Sequence, residues 1–366
     1  MKIVILVDQL HSHGGIEKLV ALKANYWTTV FGHDVTIIST EQNNETLIYE
    51  LDKKVKFVDL DINYKREISY FSFVNIKKLI KNIFQLQSNI STNKPDFILV
   101  ASHIPMTYVL PFLRLKKAKT IKEFHFTKFY DTSSGIKNKI LNYIESKYNF
   151  LVVLSQEEQN FYPSTNTVVI PNPIEKEVEI IIPILERPNI AVAVLRFAPV
   201  KRLEIMVSIW EKFSKINTSW KLHIYGTTGN DYYTKISNIV KDKQLENSII
   251  FKGQTNDVSN ALMNSKVLLI TSQQECFPMV ILEANAVGIP VISFDCPTGP
   301  RNIIHHEIDG FLVNPTDEDA FVAYLEKLSN KEEILKSLSI NAIKNGKNYT
   351  IQKVMSLWNN VIFAKS

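Results

Sequence analysis

Short apolar runs alternate along the chain with longer stretches of helical period. The runs Ile3–Val7, Asp34–Ser39, Val55–Asp59, Asp96–Val100, Lys119–Phe124, Phe150–Leu154 and Val168–Ile170 predict a first series of strands. A second series is predicted at Asn189–Val194, Lys221–Tyr225, Ile249–Lys252, Lys266–Thr271, Val291–Asp295 and Gly310–Val313. Amphipathic helical patterns of roughly 10–20 residues separate most of them. Strands alternating with helices build parallel sheets covered on both faces, so the pattern predicts an α/β protein of two doubly wound, Rossmann-like domains. In such sheets ligands bind beyond the carboxyl ends of the strands, and two domains facing each other would hold a ligand in the cleft between them.

The join between the series is visible. Ile170-Pro171-Asn172-Pro173 stops the first, and Glu175–Arg187, charged and carrying Pro183, reads as a linker or hinge. We therefore expect domains at residues 1–172 and 173–349. Residues 350–366 should form a terminal helix with Val354, Leu357, Trp358 and Val361 on one face. It would pack back on a domain surface, with the first domain the expected one. In the first half, another predicted helix places Ile76, Leu79, Ile80 and Ile83 on one face, with Lys77, Lys78 and Lys81 pointing away.

Composition adds limits. With 366 residues, 45% of them hydrophobic and 22% charged, the chain can fill two cores and is not disordered. Its longest apolar stretches, such as Ile180–Ile182 and Val267–Ile270, are far short of the roughly 18 residues that span a bilayer. The start Met1–Asp8 reads as a buried strand, because its apolar run is short and ends at Asp8 without a cleavage site. Two cysteines, Cys276 and Cys296, offer neither a disulfide framework nor a zinc knuckle, and a reducing cytoplasm fits them.

The net charge of +5 is unevenly spread. Residues 1–172 hold 21 Lys/Arg and 16 Asp/Glu, a balance of +5; the remainder holds 42−21 = 21 and 37−16 = 21, a balance of zero. Lys77, Lys78 and Lys81 contribute, as do Arg114, Lys116, Lys117, Lys119, Lys122 and Lys128. Two readings stay open: a solvated lysine face, or a surface that attracts anionic lipid headgroups or a phosphorylated acceptor. Nucleic acid is disfavoured, because no aromatic-rich basic motif accompanies the charge.

The segment Lys266–Asp295 carries most of the chemistry. A strand runs into Ser272–Phe277, Pro278 opens a helix, Gly288 ends it and Val291–Asp295 is the next strand. Free N–H groups from Phe277 to Ile281 would then point beyond a strand end, where a phosphate or a sugar hydroxyl can be held. Glu275 and Glu283 bracket the element. Eight residues of helix rise about 12 Å. That is wider than the roughly 5–9.5 Å between carboxyl groups acting on one glycosidic bond. It suits two carboxylates at opposite ends of one elongated ligand, such as a nucleotide sugar.

Glu275-Cys276-Phe277-Pro278-Met279-Val280-Ile281-Leu282-Glu283-Ala284 resembles the E-x7-E segment of the retaining family 4 glycosyltransferases, which have the GT-B fold. The resemblance continues, in order, through Gly14-Gly15-Ile16-Glu17, Pro171-Asn172-Pro173-Ile174, Arg196–Lys201, Gly288-Ile289-Pro290-Val291-Ile292 and Asp309-Gly310-Phe311-Leu312-Val313. It spans most of the chain. Ser293–Arg301 is similar to enzymes of bacterial surface-polysaccharide assembly that use UDP-hexoses or UDP-N-acetylhexosamines.

The resemblance implies site roles. Glu283 would bind the ribose hydroxyls, and Glu275 would orient the transferred sugar and stabilise charge developing at C1. Cys276, Phe277, Pro278, Met279 and Val280 would line the donor, with backbone N–H groups of Phe277–Val280 meeting sugar and phosphates. Arg196 and Lys201 would hold the diphosphate and neutralise charge on the leaving group. Gly14 and Gly15 would let backbone approach a phosphate, and His125 would lie near the transferred sugar. The base would rest near Lys252-Gly253 and Gly226-Thr227. Two expected glycines are replaced, by Leu195 before Arg196 and by Arg202 after Lys201.

Other patterns carry less. Asp59-Leu60-Asp61 matches the metal-binding D-x-D of a different fold and reads as structural at an edge-like strand. His11-x-His13 and His305-His306 lack supporting ligands. The implied activity is a retaining, metal-independent hexosyl transfer needing no cofactor beyond the UDP-sugar donor. The first domain would bind a glycan or lipid-diphosphate-linked acceptor, peripherally on the inner face of the cell membrane. The rival readings are a nucleotide-sugar 2-epimerase on the same fold and a non-catalytic nucleotide-sugar-binding protein.

Overall fold

The computed structural model describes residues 1–70, 72–115, 117–129, 135–175 and 181–365. The chain divides into two compact units, Met1–Pro171 with Met355–Ser366, and Asn172–Val354. Lys116 and positions 176–180 of the expected linker lie outside the described residues.

In the first unit, β1 (Lys2–Leu6), β2 (Asp34–Ser39), β3 (Lys56–Asp59), β4 (Phe97–Val100), β5 (Lys119–Glu123), β6 (Phe150–Val153) and β7 (Thr167–Val169) form one parallel sheet. Its order is β3-β2-β1-β4-β5-β6-β7. Ile5 pairs with Ile37 on one side and Leu99 on the other, and all three are fully buried. This is why these strands read as unbroken apolar runs: helices cover both faces. In the second unit, β8 (Ile190–Val194), β9 (Lys221–Tyr225), β10 (Ile249–Gly253), β11 (Val267–Ile270), β12 (Val291–Phe294) and β13 (Gly310–Val313) order as β10-β9-β8-β11-β12-β13. Among the described residues, all thirteen strands fall within one residue of the predicted ends.

The strand order reverses beside the first strand of each sheet. From β8 the chain moves outward to β9 and β10, then returns to β11 on the other side. The carboxyl ends of β8 and β11 therefore splay apart and open a crevice, the usual ligand position in this architecture.

Three sequence expectations are corrected by the packing. The helix Phe73–Asn93 buries Asn75, Asn82, Leu86 and Ile90, with Leu79 and Ile83 partly buried against the core. Ile76 and Ile80, expected on the same face as Leu79 and Ile83, are 40% and 49% exposed. Asn75 wins the inner position because its amide satisfies the backbone of Lys65 and Ser69. Lys78 does not simply point away; its Nζ donates to the carbonyls of Ile62 and Asn63. Second, the end of the supposed linker is part of the second unit's core, where Ile184 is buried. Arg187, also buried, donates to the carbonyls of Ile182, Ser265 and Val287. Third, the terminal helix Ile351–Val361 buries Val354, Met355 and Trp358, while Leu357 is 40% exposed. The Trp358 ring meets Trp27 edge-on at 5.4 Å, and Phe363 packs on both Trp27 and Phe97.

Asp59, the first residue of the D-x-D pattern, accepts from the hydroxyl of Ser39 at 2.6 Å and ties β3 to β2.

Candidate active site

A connected polar arrangement lies beyond the strand ends of the second unit, where β8 and β11 separate. After β8 the chain passes through Leu195 and Arg196 into a short 3-10 turn, Pro199–Lys201, and then the helix Leu203–Ile216. After β11 it passes through Thr271–Pro278 into the helix Met279–Ala286. The two loops are stitched together. Gln273 N–H donates to the Val200 carbonyl at 2.8 Å, and the buried Thr271 hydroxyl donates to the carbonyls of Lys201 and Arg202.

This stitching brings Lys201 to Glu275. Lys201 Nζ donates to Glu275 Oε1 at 2.6 Å, and the same oxygen accepts from Ser272 Oγ at 2.7 Å. The side chains are 21% and 14% exposed, so the pair is accessible from one side. The Glu275 backbone is fixed from a third loop: its carbonyl accepts the N–H groups of Thr298 and Gly299, each at 3.1 Å. A Cβ at Gly299 would lie 2.9 Å from Glu275 Cβ and 3.0 Å from Glu275 O, so only glycine permits this approach. The buried Cys296 thiol is pushed up to about 12, first by burial and then by the nearby Glu275 charge. Sequence reasoning assigned no site role to Ser272, Cys296 or Gly299; their packing around Glu275, Ser272 from the same loop and Cys296 and Gly299 from the third, gives them one.

Pro278 is the residue preceding the helix rather than its first turn. The N–H groups of Met279 and Val280 have no intrahelical acceptor. That of Ile281, expected to be free, donates to the Pro278 carbonyl at 3.1 Å. Cys276 and Phe277 are buried, and the Phe277 ring lies 5.9 Å from Tyr349. Because Glu275 precedes the helix, the helical rise applies only from Met279 to Glu283, about 6 Å. The 12 Å reading of the Glu275–Glu283 spacing therefore does not hold as a helical distance.

Arg196 is exposed and, among the described residues, makes no hydrogen bond or ion pair. Arg202 stands where the resemblance called for glycine, and it adopts φ +49°, a left-handed conformation that glycine takes without strain. Leu195 shows no such demand; its side chain packs on the core. Gly226 and Gly253 are joined by a 2.9 Å backbone hydrogen bond across the ends of β9 and β10. A Cβ at Gly226 would come 2.3 Å from the Leu195 carbonyl oxygen, so this glycine lets β9 close on the loop leading to Arg196. Gly253 takes φ +71°, and Lys252 is exposed beside it.

In the first unit, Gly14 precedes the helix Gly15–Thr29, and the Glu17 carboxylate folds back against it. Glu17 Oε1 accepts from Gln9 Nε2 at 2.6 Å, and burial raises the Glu17 pKa. Gln9 in turn accepts the N–H groups of His11 and Ser12, which shapes the loop after β1. His125 follows β5 and is 6% exposed, with Nε2 3.4 Å from Glu123 Oε2. Burial lowers its pKa, and Glu123 partly opposes that. Glu123 also pairs with the buried Lys23, whose ammonium lies 5.2 Å from the Trp358 ring. Among the described residues no cluster of three or more His, Cys, Asp or Glu could hold a metal ion.

Residues 175–345 match the model of the family described as glycosyl transferases group 1. Over the whole chain, an uncharacterized glycosyltransferase of Haemophilus influenzae is 25% identical, with 99% of each chain covered. A lipopolysaccharide 1,6-galactosyltransferase of Salmonella typhimurium is 26% identical, covering 91% of this chain and 90% of that one. Among solved structures, a Staphylococcus aureus TarM variant in complex with fondaparinux, alpha-GlcNAc-glycerol and UDP superposes with a TM-score of 0.80. It is 16% identical, and 98% of this chain and 99% of that chain are covered. The second unit is thus a group 1 glycosyl transferase domain, and the fold is that of the GT-B glycosyltransferases.

Proposed function

We propose that this glycosyltransferase moves a hexose or N-acetylhexosamine from a UDP-sugar to a glycan or lipid-diphosphate-linked acceptor, with retention and without a metal. The observation that carries the reading is the Lys201–Glu275 pair at the point where β8 and β11 diverge. A diphosphate entering there offers Lys201 a second anionic partner. The ammonium then bridges the leaving group and Glu275, and Arg196, unengaged among the described residues, adds a second cation. Fixed cations on the departing diphosphate and a fixed carboxylate beside the sugar's C1 both act where charge develops. The N–H groups of Met279 and Val280 supply further donors for phosphate or sugar oxygens.

In this reading the acceptor hydroxyl attacks C1 from the face the diphosphate leaves, and a leaving phosphate oxygen takes its proton. The C1–O bond to the diphosphate breaks as the new C1–O bond forms, releasing UDP. Glu283 holds the ribose. His125, which the resemblance associates with the transferred sugar, has Nε2 3.4 Å from the Glu123 carboxylate. The relatives are transferases; the TarM neighbour was solved with UDP, and the Salmonella relative is named as a galactosyltransferase acting on lipopolysaccharide. They support a nucleotide-sugar donor and a surface glycan acceptor, and they do not favour the epimerase.

The test is nucleoside-diphosphate release, followed across UDP-, GDP- and ADP-sugars after a thermal-shift screen picks the nucleotide. UDP-sugars should stabilise the protein and be consumed at an unchanged rate in excess EDTA. Stabilisation by GDP- or ADP-sugars alone, or loss of turnover on chelation, would reject the donor or the metal-free mechanism respectively. An epimerised sugar formed without acceptor would favour the isomerase.

A further inference from the structure

The helix Phe73–Asn93 carries an apolar stripe outward as well as one inward, where Leu86 and Ile90 are buried. Its buried positions include Asn75 and Asn82, at 0% and 1% exposure, while Phe73, Ile76, Ile80 and Phe84 stand outward at 73%, 40%, 49% and 69%. Burying amides and exposing phenylalanine gains nothing for the fold of the unit itself. The inner amides are satisfied, Asn82 by the Tyr64 hydroxyl at 3.0 Å and Asn75 by backbone, so the arrangement is a stable one. At 100° per residue the four outward apolar side chains fall within about 80° of helix surface, a continuous stripe.

A second helix repeats the pattern. Ile136–Glu145 has no buried residue, and Ile136, Ile140 and Tyr143 are 77%, 54% and 56% exposed at a helical spacing. Both helices send their inner residues, Leu79 and Ile83 from one and Ile144 from the other, into the same core cluster. They therefore cover the same face of the first sheet, and their outer stripes belong to one side of the unit. Cations border the stripes. Lys77 Nζ lies 4.4 Å from the Phe73 ring and Lys147 Nζ lies 4.7 Å from Tyr143. Lys137 and Lys139 are exposed beside them.

We propose that this side of the first unit docks on the surface of an anionic phospholipid bilayer. Apolar side chains on a helix lying in the interface enter the headgroup boundary, and bordering lysines stay at the level of the phosphates. The charge balance agrees in sign, since residues 1–172 carry the formal excess of +5, of which the buried Lys122 is no part of the surface. A second copy of the chain is a poorer occupant. A two-fold contact through this face would set its lysines against their own copies. Among the described residues no helix is long and apolar enough to cross a membrane, so the contact is one of surface docking. The proposal stands on exposure and charge, independently of the sugar chemistry.

The experiment is co-sedimentation of the whole protein with phosphatidylcholine vesicles, with and without about one third phosphatidylglycerol. Binding is expected only to the anionic vesicles, and it should weaken with added salt. Phe73→Ser combined with Phe84→Ser should weaken it more than tenfold, and Lys77→Glu with Lys147→Glu about fivefold per residue or more. All four positions are solvent-facing, so thermal melting should match the parent and separates lost docking from lost folding. Absence of binding to anionic vesicles, or equal binding by the well-folded Phe73→Ser/Phe84→Ser protein, overturns the proposal. So does a concentration-dependent dimer in sedimentation velocity that this double variant abolishes, which would give the face to a second copy. UDP release assayed without vesicles reads the donor chemistry separately, so the two readings fail independently.

Discussion

Lys201 and Glu275, 74 positions apart, meet at 2.6 Å because the loops after β8 and β11 are tied together by Thr271 and Gln273. A partly exposed ion pair of this kind contributes roughly 0–1 kcal/mol to stability. Under the proposed function, its placement at the sheet's switch point gives it chemical rather than structural weight. Glu275→Ala, Glu275→Gln and Lys201→Met should each change the unfolding free energy by less than about 1 kcal/mol. Under the proposed function they should lower kcat by about 10²–10³. Glu275→Ala should largely spare UDP affinity, whereas Lys201→Met should weaken it. Denaturant melts, UDP titration and UDP-release rates check this. Full activity in Glu275→Ala would remove the carboxylate from the mechanism.

Gly299 supports Glu275 without touching its carboxylate. Its N–H holds the Glu275 carbonyl, and a Cβ there would sit 2.9 Å from both Glu275 Cβ and Pro278 Cδ. These neighbours include backbone and a proline ring, which yield little. Gly299→Ala should therefore displace the Glu275 loop, at a stability cost of about 1–3 kcal/mol from overpacking. The rate of UDP release should fall at least tenfold with the donor-induced thermal shift reduced. Wild-type rates in this variant would show that the third loop does not position Glu275.

The sequence displayed the strands and the strand-end chemistry, and it hid what depends on contacts between loops. Buried parallel strands are apolar throughout, so β4 and β11 could be read directly. Glu275 and Lys201 stood out through the resemblance, yet their meeting depends on Thr271, a residue with no motif of its own. The helix Phe73–Asn93 was misread because periodicity locates apolar stripes and does not say which stripe faces the core. Two satisfied asparagines decided the question there, and nothing in local sequence announces their partners at Lys65, Ser69 and Tyr64. Arg187 resembled linker charge because the carbonyls it satisfies, at Ser265 and Val287, are about 80 and 100 positions away.

Arg202 offers a test of backbone strain. It holds φ +49° at the junction between the 3-10 turn and the helix Leu203–Ile216. A non-glycine residue in this region costs about 1–2 kcal/mol relative to glycine, partly returned by the lower entropy of the unfolded chain. Arg202→Gly should hold or raise stability by up to about 1 kcal/mol, and Arg202→Val should lower it by about 1–2 kcal/mol. Thermal melts of the two variants order them. If Arg202→Gly loses donor affinity while gaining stability, the guanidinium contributes a contact to the nucleotide sugar.

Lys23 and Glu123 form a buried pair, at 1% and 3% exposure, with Trp358 against the lysine and His125 against the glutamate. Removing one partner leaves the other charge unpaired in the interior. Glu123→Gln should therefore cost about 3–5 kcal/mol. The double change Lys23→Met with Glu123→Gln should recover most of that, since no uncompensated charge remains. Urea unfolding of the four proteins in the cycle gives the coupling. Additive losses would mean that the two groups are not energetically paired.

Lys122 neighbours that pair in sequence but has a different environment. Its ammonium is buried, and its Nζ donates to the carbonyls of Ser102 at 2.9 Å and Val100 at 3.4 Å, with no ion-pair partner among the described residues. Burial lowers its pKa from 10.5 to about 7, against smaller opposing effects of Glu123, Asp8 and Glu145. Between pH 7 and about 10.5 the unfolded chain then carries a proton at this site that the folded protein does not. Unfolding is coupled to proton uptake, so folding stability attributable to Lys122 rises with pH across that window, by at most about 1.4 kcal/mol per unit. Below pH 7 both states are protonated, the slope vanishes, and the folded state bears the full penalty of a buried cation. Lys122→Met cannot titrate. Measured by urea unfolding at pH 7, 8 and 9, the parent should gain stability relative to Lys122→Met with each step. Parallel pH profiles for the two proteins would mean that Lys122 stays charged in the folded state, its carbonyl partners compensating the loss of water.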